Sequence, residues 1–183
     1  MKPYCVDTNI LIDIKKIITG EINPNRSRYH RNYNDLIELI TSDEIEILVV
    51  PTVLEEIRRG SHKDDALTER FIGRFCTQCE LTEQEQLWAD DLYDEYIAGE
   101  EDAVIPVFKD MGKTMKYNTK DAHILAEVTA IYNGKRYDAV KFITNNIIDF
   151  INVDGVRRIN QDLGLKTITF NSIAASNVKK EIR

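Results

Sequence analysis

The sequence predicts an α/β fold built on a mostly parallel sheet of four or five short strands. Two observations carry this. Short apolar runs recur at Tyr4–Val6, Ile45–Val50, Val140–Ile143 and Thr167–Phe170, each of strand length and bounded by polar or turn-forming residues. Helical patterns separate each run from the next, which is the arrangement of crossover connections between parallel strands. With 183 residues, 43% of them hydrophobic and 30% charged, the chain suits one well-packed domain rather than two.

The elements follow in order. After Tyr4–Val6, the segment Thr8–Lys16 reads as a helix, with Ile10, Leu11, Ile14, Ile17 and Ile18 on its inner side. Residues 19–34 are polar and contain Gly20, Pro24 and several Asn, so a loop is expected; Asp35–Thr41 resumes a helix. Pro51 ends the second strand, and Thr52 opens a helix that Gly60 terminates. Thr52 and Glu55 have the spacing of a capping box, in which each side chain satisfies an orphan backbone N–H. Residues 64–112 read as entirely helical, in three pieces: Asp64–Phe75, Thr82–Ala98 (with a second box, Thr82 and Glu85) and Asp102–Met111. A strong helix runs from Asn118 to Tyr132, with Gly134 just beyond its end. A turn or short helix over Thr144–Phe150, a helix over Asp154–Leu163, the last strand and a helical tail from Ser172 complete the reading.

Composition bounds the function. No apolar run approaches the roughly 20 residues of a membrane span. Asp7 and Asp13 interrupt the N-terminal apolar pattern where a secretory signal would need its core, so a cytoplasmic location is expected. A net charge of −7 argues against coating nucleic acid through bulk charge, though not against gripping a phosphodiester through metal ions and a local basic patch. Three cysteines do not make a disulfide framework. Cys76-Thr77-Gln78-Cys79 has the spacing of a zinc or redox pair, but no second pair supplies the four ligands of a structural zinc site. Its place at a helix end also differs from the helix N-termini that activate thiols. Ordinary reduced thiols are expected.

The chemistry-bearing residues are acids that follow strands. Asp7 ends the first strand, where open α/β sheets keep their sites. Glu56 is expected in the first turn of the helix after the second strand, Asp121 in the first turn of the Asn118 helix, and Asp149 after the Val140–Ile143 strand. Any one of them has a structural explanation, because a helix N-terminus stabilises a carboxylate by about 0.3–1 kcal/mol. Glu55 has such an explanation in the capping box, which leaves Glu56 without a local job. Four oxygen-rich groups converging on one sheet edge could not all stay ionised without a cation. Hard oxygen ligands suit Mg²⁺ or Mn²⁺, and such a centre polarises a phosphodiester and activates water for in-line attack.

These residues also carry a resemblance. Val6-Asp7-Thr8-Asn9-Ile10-Leu11-Ile12, Val53-Leu54-Glu55-Glu56-Ile57, Asp121-Ala122-His123-Ile124-Leu125-Ala126 and Phe142-Ile143-Thr144-Asn145-Asn146, with Asp149-Phe150 beyond, resemble in order the motifs of PIN-domain ribonucleases, including VapC-type toxins. The resemblance spans nearly the whole chain. It implies a three-layer α/β/α sandwich, dependence on Mg²⁺ or Mn²⁺, and hydrolysis of RNA. It assigns Asp7, Glu56 and Asp121 to the central acidic triad, Asp149 to a supporting acid, and Thr144 to orienting the first acid or a water. It also implies the toxin of a toxin–antitoxin pair, whose antitoxin would cover the acidic cleft with an Arg or Lys.

Two departures stand out. Asn146 occupies a place where many members have an acid, so metal binding would rest on three acids with Asp149 helping through water. About 65 residues separate Glu56 from Asp121; this helical insertion, about 61–117, is expected to serve as a lid or an oligomerisation surface, with a homodimer or higher oligomer as the assembly.

RNA contacts are expected from Lys116 and Lys120, with Lys109 and Lys113 upstream, which enter the same edge as Asp121. The loop Arg26-Ser27-Arg28-Tyr29-His30-Arg31 offers Arg28 and Arg31 for phosphates and Tyr29 for stacking on a base, or else is simply solvated. His123 reads as a packed helix residue, and Trp88, Leu92 and Tyr96 as a core or interface stripe. A rival reading is a non-catalytic PIN-like module that binds RNA or protein. A second, a phosphatase of the haloacid dehalogenase type, needs an Asp where this chain has Asn9.

Overall fold

A computed structural model describes residues 2–23, 33–59, 66–97, 119–137, 140–144 and 166–169. The loop from Arg26 to Arg31, the helices expected over 102–111 and 154–163, the turn after Thr144 and the C-terminal tail lie outside the described residues.

Five strands form one sheet in the order β3-β2-β1-β4-β5, every neighbouring pair parallel. They are β1 (Lys2–Val6), β2 (Ile45–Val49), β3 (Cys76–Gln78), β4 (Lys141–Thr144) and β5 (Lys166–Thr169). In the central strand Tyr4, Cys5 and Val6 are all fully buried. Successive strand residues point to opposite faces, so both faces of the sheet are covered. This is why the strands read as continuous apolar runs rather than alternating ones.

The helices are α1 (Thr8–Ile18), α2 (Asn34–Thr41), α3 (Pro51–Arg59), α4 (Ala66–Phe75), α5 (Glu83–Ile97) and α6 (Thr119–Asn133). Asp7 caps α1, its Oδ1 accepting from the Ile10 N–H at 2.8 Å, the usual bond from an N-cap carboxylate. At the other end Gly20 takes φ +78°, a left-handed conformation that costs glycine little, and its N–H closes on the Ile17 carbonyl at 3.1 Å. Pro51 opens α3, where a missing N–H costs nothing. The Thr82 and Glu85 box forms at the start of α5: Thr82 N–H donates to Glu85 Oε2 at 2.9 Å, and Glu85 N–H donates to Thr82 Oγ1 at 3.2 Å. The other Glu85 oxygen meets Arg136 Nε at 2.8 Å. Gly134 leaves room for that carboxylate, which a Cβ would strike.

Helix α6 is buried almost all round: Ala122, Ile124, Leu125, Ala126, Val128, Ala130 and Ile131 are at most 1% exposed, the signature of a helix inside a core. It packs chiefly on α5 and then on α3. Trp88, Leu92 and Tyr93 of α5 lie against the core, and the Tyr93 ring stacks on His123, which is therefore a packing residue as its spacing suggested.

Two expectations need correction. The stretch read as entirely helical holds strand β3, which pairs with β2 through Ile47–Cys76, Leu48–Thr77 and Val49–Gln78. The insertion thus supplies an edge of the sheet. Three residues carry no periodicity to read, and the free edge of β2 recruits them. The Thr52–Glu55 capping box does not form either: Thr52 bonds to Glu127 of α6, and Glu55 pairs with Arg59 one turn on. Among the described residues no helix is long and apolar enough to cross a membrane.

Candidate active site

Strand order locates the site. From β1 the chain moves towards β2, and from β4 towards β5, on opposite sides. The connections part between β1 and β4, and in open parallel sheets the crevice beyond the carboxyl ends at such a point is where ligands bind. Asp7 follows β1 there, its N–H held by the Ile143 carbonyl at 3.1 Å, and Thr144 ends β4.

Asp7 is 3% exposed and Thr144 is fully buried. The Thr144 hydroxyl donates to Asp7 Oδ2 while Ile10 N–H holds Oδ1. A buried carboxylate is tolerated only when such donors compensate its lost hydration. The two bonds fix the direction of the carboxylate.

Glu56 lies in the second turn of α3 rather than the expected first, because the helix already opens at Pro51, and it is drawn to the same edge. Thr8, the residue after Asp7, donates its hydroxyl to Glu56 Oε2. Lys120 Nζ of α6 stands 3.5 Å from Oε1, a loose ion pair that at 53% exposure of the lysine adds little stability. Asp121 follows Lys120 in the first turn of α6 and is half-buried.

No protein family model matches the chain, and no curated protein matches it significantly. Solved structures do. VapBC2 from Rickettsia felis, crystallised bound to a DNA fragment from their promoter, contains a chain that aligns over 91% of this chain and 98% of its own, at TM-score 0.50 and 17% identity. VapBC-1 from nontypeable Haemophilus influenzae aligns over 92% and 98%, at TM-score 0.45 and 15% identity. The chain has a VapC-like PIN fold. At such identities the likeness is one of fold.

Within this PIN fold, Asp7, Thr144, Glu56 and the start of α6 meet at one sheet edge through the contacts above. Among the described residues, no three of the His, Cys, Asp and Glu side chains stand close enough together to hold one metal ion. Asp149, Lys116, Arg28 and Arg31 lie outside the described residues. Among the described residues, the carboxylates of Asp7, Glu56 and Asp121 are a donor set that suits Mg²⁺ or Mn²⁺ better than a thiophilic metal.

The thiols are not part of it. Cys5, Cys76 and Cys79 form no disulfide. Burial pushes the Cys76 thiol up to about 12 and raises those of Cys5 and Cys79, the last against the pull of the Arg136 guanidinium. All three stay protonated and unreactive at neutral pH, in keeping with the expectation of ordinary thiols.

Sequence reasoning missed Thr8, Glu127 and the contact of Lys120 with Glu56. Thr8 had a signal, a hydroxyl beside Asp7 at the start of a helix. Glu127 had one too, a lone acid inside an apolar helix.

Proposed function

We propose that this protein is a metal-dependent endoribonuclease, which hydrolyses RNA phosphodiester bonds, and that it acts as the toxin of a toxin–antitoxin pair. The observation that supports this best is the clamped Asp7 carboxylate at the parting of the sheet connections, with Glu56 tied to the adjacent Thr8. In this reading Asp7, Glu56 and Asp121, which as they stand are not close enough to share one ion, would draw together on Mg²⁺ or Mn²⁺ as it binds, and Asp149 would support them through water.

A bound divalent ion would supply the charge that polarises the phosphodiester and lowers the pKa of water, so that hydroxide can attack. The chain's own residues prepare for it. Thr144 and Ile10 N–H present Asp7 in one orientation, so no reorganisation is needed as charge develops. Thr8 orients Glu56 in the same way. Lys120, together with Lys116, Arg28 and Arg31, steers and holds the RNA backbone against the net negative charge of the chain. No protein nucleophile is required. The likeness to VapBC2 supports an antitoxin as partner; a basic side chain reaching Asp7 and Glu56 would cover the edge.

The test is cleavage of a mixed RNA panel with Mn²⁺, Mg²⁺ or chelator, beside Asp7→Asn. Metal-dependent cleavage that vanishes in the variant supports the reading. Cleavage that persists in chelator or in Asp7→Asn overturns it. A non-catalytic PIN-like module is the second reading, favoured by the Lys120 contact that already balances Glu56 and by the net charge of −7. It predicts RNA or protein binding that Asp7→Asn leaves unchanged.

A further inference from the structure

Helix α3 begins without a cap of its own. The residue before Pro51 is Val50, which has no side-chain acceptor, and the first N–H the helix must satisfy is that of Thr52. The acceptor comes from 75 residues further along the chain. Glu127 of α6, 6% exposed, accepts from Thr52 N–H at 3.0 Å and 3.3 Å on its two oxygens and from Thr52 Oγ1 at 2.9 Å. A carboxylate in an otherwise apolar stretch of α6 is costly to desolvate, and these three bonds offset part of that cost.

The contact has a second rung. Thr52 and Glu56 are four residues apart on α3, and Glu127 and Lys120 seven apart on α6, so each pair lies along one side of its helix. Thr52 meets Glu127, and Glu56 meets Lys120. The helices therefore run in opposite senses along this stripe. A slip of one residue would move α3 by about 1.5 Å and turn it by about 100°, carrying Glu56 away from Thr8.

We propose that Glu127 is a positioning residue for the candidate site: by capping α3 from α6 it sets the register that delivers Glu56 to Thr8 and to the first turn of α6. The proposal rests on Glu56 being a site residue, as read above. Among the described residues the hydrogen bonds that Glu127 makes go to Thr52, so it acts through α3.

The experiment uses the whole chain labelled with ¹³C at glutamate carboxyls, with Glu127→Ala, Glu127→Gln and Thr52→Val. Two readouts are taken: the Glu56 carboxyl resonance, and kcat and KM for RNA cleavage with Mn²⁺. Glu127→Ala is expected to move the Glu56 resonance and to lower kcat by about tenfold or more, since misplacement by about 1 Å can cost a hundredfold. KM should change by less than about threefold. Glu127→Gln, which keeps an acceptor for Thr52 N–H, should recover most of both. Thr52→Val removes one of the three bonds and gives a smaller shift in the same direction, so it serves if Glu127→Ala fails to fold. A Glu56 resonance unmoved in folded Glu127→Ala and Thr52→Val overturns the proposal. Wild-type cleavage judges the ribonuclease reading separately, and the resonance decides the register whether or not RNA is cut.

Discussion

The Thr144 hydroxyl donates to Asp7 Oδ2, so one side-chain hydrogen bond joins the carboxyl ends of β4 and β1 where the sheet's connections part. The two residues are 137 positions apart and both buried. The bond therefore serves two ends, closing the sheet edge and fixing the direction of a carboxylate.

Thr144→Val keeps the shape and removes the donor. Leaving one oxygen of a buried carboxylate short of a partner costs about 1–3 kcal/mol, which urea denaturation will read as a lower midpoint at unchanged slope. Cleavage should fall by about 10–100-fold, while Thr144→Ser recovers most of both.

Asp7 has a structural role and a proposed chemical one, and two substitutions separate them. Asn caps a helix about as well as Asp, so Asp7→Asn should melt within a few degrees of wild type and yet lose cleavage. Asp7→Ala also loses the cap, at about 1 kcal/mol more. Thermal melts beside single-turnover cleavage distinguish the two variants.

Four of the five strands, α1 and α6 were legible in the sequence because each is signalled locally. Apolar runs of strand length mark β1, β2, β4 and β5, Gly134 marks the end of α6, and the Thr82–Glu85 box lies within one turn of chain. The misreadings share one physical cause, a partner distant in sequence. Thr52 looked capped by Glu55 because nothing local shows that Glu127 competes for the same N–H. Cys76–Gln78 looked helical because the pull of β2's edge leaves no mark on three residues. Of the candidate site, the positions of Asp7 and Thr144 at strand ends could be read from the sequence. The contacts of Thr8 and Lys120 with Glu56 could not, since they depend on how α1, α3 and α6 pack.

Burial pushes the Glu127 carboxyl from its ordinary 4.5 up to about 7, the Thr52 bonds only partly offsetting it. The folded state thus holds this proton more tightly than the unfolded chain does. The resulting stability is full below about pH 4.5 and is lost as pH rises through about 7, by on the order of 1–3 kcal/mol. Stability against urea, followed from pH 5 to pH 8.5, should show this fall in wild type and a flatter profile in Glu127→Gln.

Cys5 and Cys79 are buried and all three thiols have raised pKa values. A thiol reagent at pH 7.5 should label the native protein at least about tenfold more slowly than the urea-unfolded chain. Cys76→Ser should leave RNA cleavage within about twofold of wild type. Fast native labelling at Cys76 or Cys79 would contradict this environment.

The central claim is that the Asp7 edge holds a divalent ion, and Mn²⁺ titration by calorimetry, with Asp7→Asn alongside, tests it most directly. Saturable binding by wild type, weakened at least about tenfold in a variant that melts normally, is the result expected when a charged ligand is lost from a hard-cation site. Binding of equal strength in Asp7→Asn, or none in wild type, would contradict it.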